Sequence, residues 1–428
     1  MKHVTTRSTS LRGLGLGLIA SSVLASHAFG ASDPRPRLDP EMTGPEYAPL
    51  VEKLLQGGLK DTDPLQTILL IGKRNLQWLD LVNSQRPDAQ KLQLSTAETQ
   101  VGYPIDQPTL ANRDLVSKGW NTVRDGLPES MRAVLVDNAP LTQTPAVADD
   151  VFLAQVRLVD RAYQRASRWL LEEPYLDYYA QDAEDDIRGY YYLNQEPDLD
   201  TKLRTFASLD DATKTRLQGL LVGECRNQER SLTTCTTNFT DALGRDGNAI
   251  NFHQRYRDNA ATHFNSYFEI QVKRPDVTWD AAANVLSVPF RNPNRDDVKS
   301  WLSTNIEDEW RWNGWALKLN FEDQGDDNMT HVQFKDGATP HVNAVGGSEI
   351  TMDANRNLTE YSSRWTIRHE YGHTLGFVDC YLEFYDKAQG VMINYQLDIT
   401  NLMCSRRGHL QEKHFLELKK NYGATTLN

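Results

Sequence analysis

Positive charge is in short supply: 46 lysines and arginines stand against 58 aspartates and glutamates, a net charge of -12. A nucleic-acid binder needs a basic face to neutralise phosphates, so that class is set aside. Long apolar runs are also missing. Beyond the first thirty residues no uninterrupted apolar stretch approaches the ~20 residues that cross a bilayer. There is no internal repeat and no long low-complexity segment, which leaves a solvated acidic surface on a globular protein. Hydrophobic residues make up 39% of the chain and charged residues 24%, ordinary values for a folded protein. A single core rarely serves 428 residues, so two domains are expected.

What is present begins at the N-terminus. Lys2, Arg7 and Arg12 precede an apolar stretch over residues 14–24, and the small residues Ala25, Ser26, Ala28 and Gly30 follow. That is the plan of a secretory signal peptide over residues 1–30, too short to span a membrane. A secreted or periplasmic protein, without a membrane span and monomeric, is the expectation. Four cysteines suit such an oxidising destination. Three pairings are open, and proximity favours Cys225–Cys235 and Cys380–Cys404. The second would close a loop worth roughly 3 kcal/mol.

Residues 31–262 read as mainly helical. Asp63-Pro64 is a helix start, with Leu65, Ile68, Gly72, Leu76 and Leu79 at three- and four-residue steps behind it. Phe152, Val156, Val159, Tyr163, Ala166 and Leu170 repeat the stripe up to Pro174. A third helix is expected over 209–222, and Tyr190, Tyr191 and Tyr192 read as a packing patch. From about 263 to 428 the texture changes. Short β-type runs cover 268–272, 277–279, 285–290, 315–321, 331–334 and 349–352. Asn294 is expected to cap a helix through about Trp310. A long helix begins near Ser362 and a last one spans 410–422. The whole is an α+β fold: a helical N-terminal domain over 31–262, propeptide or accessory, and a C-terminal domain over 263–428.

The chemistry concentrates in one string, His369-Glu370-Tyr371-Gly372-His373-Thr374-Leu375-Gly376-Phe377-Val378-Asp379. Histidines at i and i+4 share a helical face, so both imidazoles can reach one metal ion. Glu370, beside the first ligand, is placed to take a proton from water, which zinc would acidify, and to pass it to a leaving amine. An open metal position requires a third protein ligand. Gly376 can end the helix in a left-handed turn and let Asp379 return beneath it. Cys380, His409 and His414 compete for that role, and the spacing favours Asp379. H-E-x-x-H alone should arise by chance in roughly one chain in a hundred of this length, so the added glycine and aspartate matter.

The string resembles the H-E-x-x-H-x-x-G-x-x-H/D signature of the metzincin metallopeptidases. It is most similar to the snapalysin-like branch, in which aspartate replaces the third histidine. The resemblance covers residues 263–428 and implies a zinc endopeptidase acting on proteins or peptides. It implies that Met403, in Asn401-Leu402-Met403-Cys404, forms an apolar floor under the metal. It also implies that 349–352 is the edge strand along which an extended peptide pairs. Some members carry a tyrosine two residues beyond the methionine; this chain has Ser405. The alternative from another class is a non-catalytic zinc-containing protein whose helical half carries the function, and the intact Glu370 speaks against it. A different peptidase architecture would need Glu383 or Glu412 as ligand, and neither lies in a second-helix ligand motif.

Overall fold

The computed structural model describes residues 33–57, 63–323 and 328–423; the expected export segment 1–30 lies outside them. The first half is helical for the reasons its sequence carries. Asp63 accepts a hydrogen bond from the backbone N–H of Leu65 at 2.9 Å, opening the helix Pro64–Asn83 with a proline at its first position. The buried stripe Leu65, Ile68, Leu69 and Leu79 packs on Phe152, Val156, Val159 and Tyr163 of the helix Asp149–Glu172. Gly72 permits that contact, because a Cβ there would come within 2.2 Å of the Tyr163 ring. The helix expected over 209–222 runs further, Asp211–Glu229, and Cys225–Cys235 ties it to the helix Leu232–Asp246. Tyr192, in the helix Arg188–Gln195, donates its hydroxyl to the Ile105 carbonyl, while Tyr191 packs on the main core.

Ten strands occur among the described residues: β1 Thr109–Ala111, β2 Thr278–Asp280, β3 Val285–Arg291, β4 Arg311–Trp312, β5 Trp315–Glu322, β6 His331–Lys335, β7 His341–Val342, β8 Glu349–Asp353, β9 Tyr381–Asp386 and β10 Val391–Gln396. They form three small sheets in the orders β1-β10-β9, β2-β3-β5-β4 and β6-β8-β7. The second and third sheets mix parallel and antiparallel pairs. The α+β class is therefore correct. The buried face of β3 (Leu286, Val288, Phe290) and Leu317 of β5 share one core with Ile367, Tyr371 and Leu375 of the helix Tyr361–Thr374, which carries the histidine string.

Several expectations need correction. The boundary at 262/263 falls inside the helix Ile250–Ser266. The two regions also share a sheet: β1, from the helical part, pairs antiparallel with β10, and Met392 of β10 belongs to the helical core. Residues 268–272 are not a strand. They form turns, and Gln271 N–H donates to the Gly376 carbonyl at 2.8 Å, so this segment is shaped by the loop below the site. Asn294 sits at φ 55° instead of capping; the helix Asp296–Leu302 starts after Arg295 and widens into a π turn at Ser303–Glu307. Residues 349–352 are not an edge. β8 lies between β6 and β7, and the edge strand next to the site helix is the two-residue β7. So short a strand leaves too little alternation to be read from sequence.

Candidate metal centre

The helix Tyr361–Thr374 sets His369 and His373 one turn apart on one face. It stops where expected. Gly376 takes φ 98°, and a Cβ there would meet the Val272 carbonyl oxygen at 2.1 Å, so only glycine fits this turn. The chain then doubles back and delivers Asp379. His369, His373 and Asp379 each offer a ligand atom to one point. The two Nε2 atoms lie 3.1 Å apart, and Asp379 Oδ1 lies 3.0 Å from one and 3.3 Å from the other.

These separations suit a metal. Atoms about 2.0–2.1 Å from a tetrahedral zinc stand roughly 3.3 Å from one another. Both rings are turned for ligation by their other nitrogens. His369 Nδ1–H donates to the Leu402 carbonyl at 3.0 Å, and His373 Nδ1–H to the Phe377 carbonyl at 2.9 Å. That tautomer leaves both Nε2 lone pairs facing the same point, the usual outer support of a metal-bound imidazole. Asp379 Oδ1 is buried and receives no well-aligned hydrogen bond despite its proximity to both rings. Two converging lone pairs and a buried carboxylate oxygen without an aligned donor are a donor set that can hold a cation.

The electrostatics say the same in terms of protons. Burial opposes charge on His369, but the close approach and negative charge of Asp379 outweigh it and push the imidazolium up to about 10. His373 is likewise raised against burial, chiefly by Asp379. Burial would raise Asp379, yet the two histidines hold it well below the usual carboxylate range. The cluster therefore attracts positive charge strongly, and a divalent ion would compete for the place of those protons. Glu370 is buried, which pushes its carboxyl up, with the two histidines opposing. It does not belong to the ligand cluster. It faces a cavity of about 30 Å3 shared with Asp39, Glu46, Pro340, Met352 and Arg406.

The competing ligands go elsewhere. Cys380 is bonded to Cys404, His409 meets Glu309 at 3.2 Å on the surface, and buried His414 pairs with Asn401 at 3.0 Å. Glu383 binds Arg168, and Glu412 opens the last helix Glu412–Tyr422. Met403 lies directly beneath the site helix: a Cβ on Gly372 would come within 2.2 Å of its sulfur. The Met403 carbonyl accepts from Cys380 N–H at 3.1 Å, and the disulfide, with Cα atoms 4.4 Å apart, locks the Asp379 loop to the methionine turn. Mass mapping under non-reducing conditions should recover this crosslink together with Cys225–Cys235. Free thiols at 380 and 404 in a folded sample would contradict it. Replacing Cys404 by serine, with Cys380→Ser to avoid a stray thiol, should cost roughly 3 kcal/mol in denaturant unfolding.

Two features escaped the sequence. Tyr381, two residues past Asp379 on β9, hydrogen-bonds the Asp379 carboxylate and steadies it. More consequential is residues 38–46, a strap between the site and the helical bundle. Arg406, just beyond the methionine turn and 4% exposed, binds Asp39 Oδ2 at 3.1 Å and Glu46 at 2.9 Å. Ser405 Oγ donates to Glu41 Oε1 at 3.0 Å, and Arg406 N–H donates to the same carboxylate. The Ser405 position is therefore engaged with the strap. On the bundle side Gly44 packs directly against the Asp160 carboxylate, where a Cβ would meet Oδ1 at 1.7 Å. A carboxylate near Arg has no distinctive spacing, which is why the strap is silent in sequence.

The strap's docking should depend on pH. Burial and then Asp39 push Glu41 up to about 7 against Arg406 and Ser405. Burial pushes Asp160 to about 7 against Gln164, Gly44 and Arg161, with Glu46 adding to the rise. A raised carboxyl stabilises docking while protonated, so this contribution is complete below the free value and lost as pH rises through 7. Glu46, held low by Arg406 despite burial, works the other way and loses its contribution in acid. Docking should be strongest near pH 5 and weaken by a few kcal/mol towards pH 8. Amide exchange over 38–46 should quicken across that range beyond its intrinsic rise; unchanged protection would contradict this.

Compared with protein-family models, curated proteins and solved structures, the chain matches none of them. Among the described residues no helix is long and apolar enough to cross a membrane. The two disulfides fit an oxidising compartment.

Proposed function

We propose that the protein is an exported zinc endopeptidase of the metzincin type, with His369, His373 and Asp379 as ligands and Glu370 as general base. The observation that carries the reading is the convergence of three ligand atoms 3.0–3.3 Å apart, with an uncoordinated buried glutamate beside them. The donor set of two imidazoles and one carboxylate, with a fourth position left to water or substrate, suits catalytic zinc. When bound, zinc would lower the pKa of water and polarise the scissile carbonyl. Glu370, its carboxyl raised by burial, is tuned to accept a proton from the attacking water and return it to the leaving amine. Tyr381 and the two backbone carbonyls hold the ligands in place. Gly372 and Met403 pack closely beneath the histidines and keep the floor dry.

A metal site used only for binding is the second reading. The strap over the Glu370 cavity favours it, because a covered site binds without turning over. A peptide library separates the two. The full chain with the strap weakened by substitution should cleave internal peptide bonds, and the unaltered chain should cleave them far more slowly. Chelator should abolish cleavage and added zinc should restore it. Cleavage that survives chelation, or none with the strap released and zinc bound, would reject the peptidase.

A further inference from the structure

In a chain of net charge -12, Arg364 and Arg368 lie on the helix that carries the ligands, and Arg406 and Arg407 follow the methionine turn. Arg364, Arg368, Arg406 and Arg407 lie close enough to act on Tyr361 or on one another. Arg364 and Arg407 are exposed and have no carboxylate partner among the described residues. Arg406 lines the same cavity as Glu370 and is buried, and its charge is balanced by the strap: Asp39, Glu46 and, through Ser405 and its own backbone, Glu41. A buried guanidinium stripped of its carboxylates is strongly unfavourable. Whatever takes the strap's place must therefore bring acids of its own.

We propose that residues 38–46 stand, within the chain, where an acidic peptide binds, and that Arg406 is the side chain that selects it. This rests on the reading of the site as a peptidase. The ligands are then acidic segments that can take the strap's own shape, a turn carrying acids two residues apart, as Asp39 and Glu41 are (Met42 N–H donates to the Asp39 carbonyl), followed by a further acid in the first turn of a helix, the position of Glu46 in Gly44–Gln56. Arg406 supplies the planar fork that pairs with a carboxylate, and the exposed Arg364 and Arg407 add longer-range attraction for acidic segments. While the strap is docked, the same contacts exclude such peptides, so specificity and latency share one set of residues. Arg406 is a specificity-determining residue. It acts on the substrate's side chain and leaves the scissile bond to Glu370 and the ligands.

The test uses the full chain carrying Asp39→Asn and Glu46→Gln together, which removes the two ion pairs to Arg406 and weakens the strap without touching the ligands. The probe is a synthetic peptide with the sequence of residues 36–47, compared by calorimetry with its Asn/Gln/Gln analogue. The variant should bind the acidic peptide at least ~10-fold more tightly than the analogue, as charge-assisted pairing to a buried arginine requires. The unaltered chain should bind neither. Adding Arg364→Ala and Arg407→Ala should weaken the acidic peptide several-fold and leave the analogue unchanged. In matched fluorogenic substrates the same preference should appear in KM, with kcat little altered. Equal binding of both peptides, or no binding while amide exchange shows 38–46 released, would overturn the proposal. Should the double variant not fold, Asp39→Asn alone carries the same comparison. Selective binding without hydrolysis would retain the acidic-peptide site and reject the peptidase reading.

Discussion

Glu370→Gln, made in the chain with its strap weakened, is expected to keep its metal and lose hydrolysis by at least ~10²-fold, the usual contribution of general base catalysis. The separation follows from the geometry. Glu370 adjoins His369 in sequence but is outside the His369–His373–Asp379 cluster, so its charge is not needed for ligation. Glutamine preserves its volume and much of its hydrogen bonding. It also removes a carboxyl already pushed up by burial, so stability should hold or rise slightly. Zinc content, unfolding and peptide cleavage measured on one preparation decide the matter. A variant that cleaves normally would leave the metal site structural and direct attention to the helical half.

Asp379→Ala should fail in the opposite order. It removes a ligand atom and the anion on which the two imidazoles depend. Loss of a mere supporting contact around a metal ligand costs 10–100-fold in affinity, so loss of the ligand itself should cost at least ~10²-fold. Activity should fall with it. If the ion is normally saturating, a hundredfold loss in affinity removes about 2.7 kcal/mol of stability. Asp379→His should recover part of the binding, because imidazole is a good zinc ligand. Titration with zinc under a competing chelator gives the affinities directly. Normal zinc affinity in Asp379→Ala would show that the third ligand had been misassigned.

The parts of this molecule that were legible are those with local physical signals. The i, i+4 histidines, the glycine that must turn left-handed and the aspartate three residues on form one continuous string, and the chain closes them onto one point. The two disulfides followed from proximity because each links neighbouring stretches: the ends of two consecutive helices in one case, and the loops on either side of the β9–β10 hairpin in the other. The stripes of the first helices were equally plain. What was hidden depends on partners far apart in sequence. Residues 349–352 read as a strand, but nothing in them tells a central strand from an edge one; β6 and β7 on either side decide it. The three residues of β1 carry no pattern of their own and are strand only because β10 accepts them. Arg406 and Asp39 are 367 positions apart, and the strap they fix is made of turn-forming residues. The same contacts explain why a cut at 262 does not divide the protein cleanly: it would take β1 from its sheet and the strap from the site.

The most direct measurement is metal analysis of the folded chain, purified without chelator. About one zinc per chain is expected, removable by chelator and replaceable to the same stoichiometry, and lost in the variant lacking His369 and His373. A folded sample that holds no metal and takes up none when zinc is supplied would contradict the account at its centre.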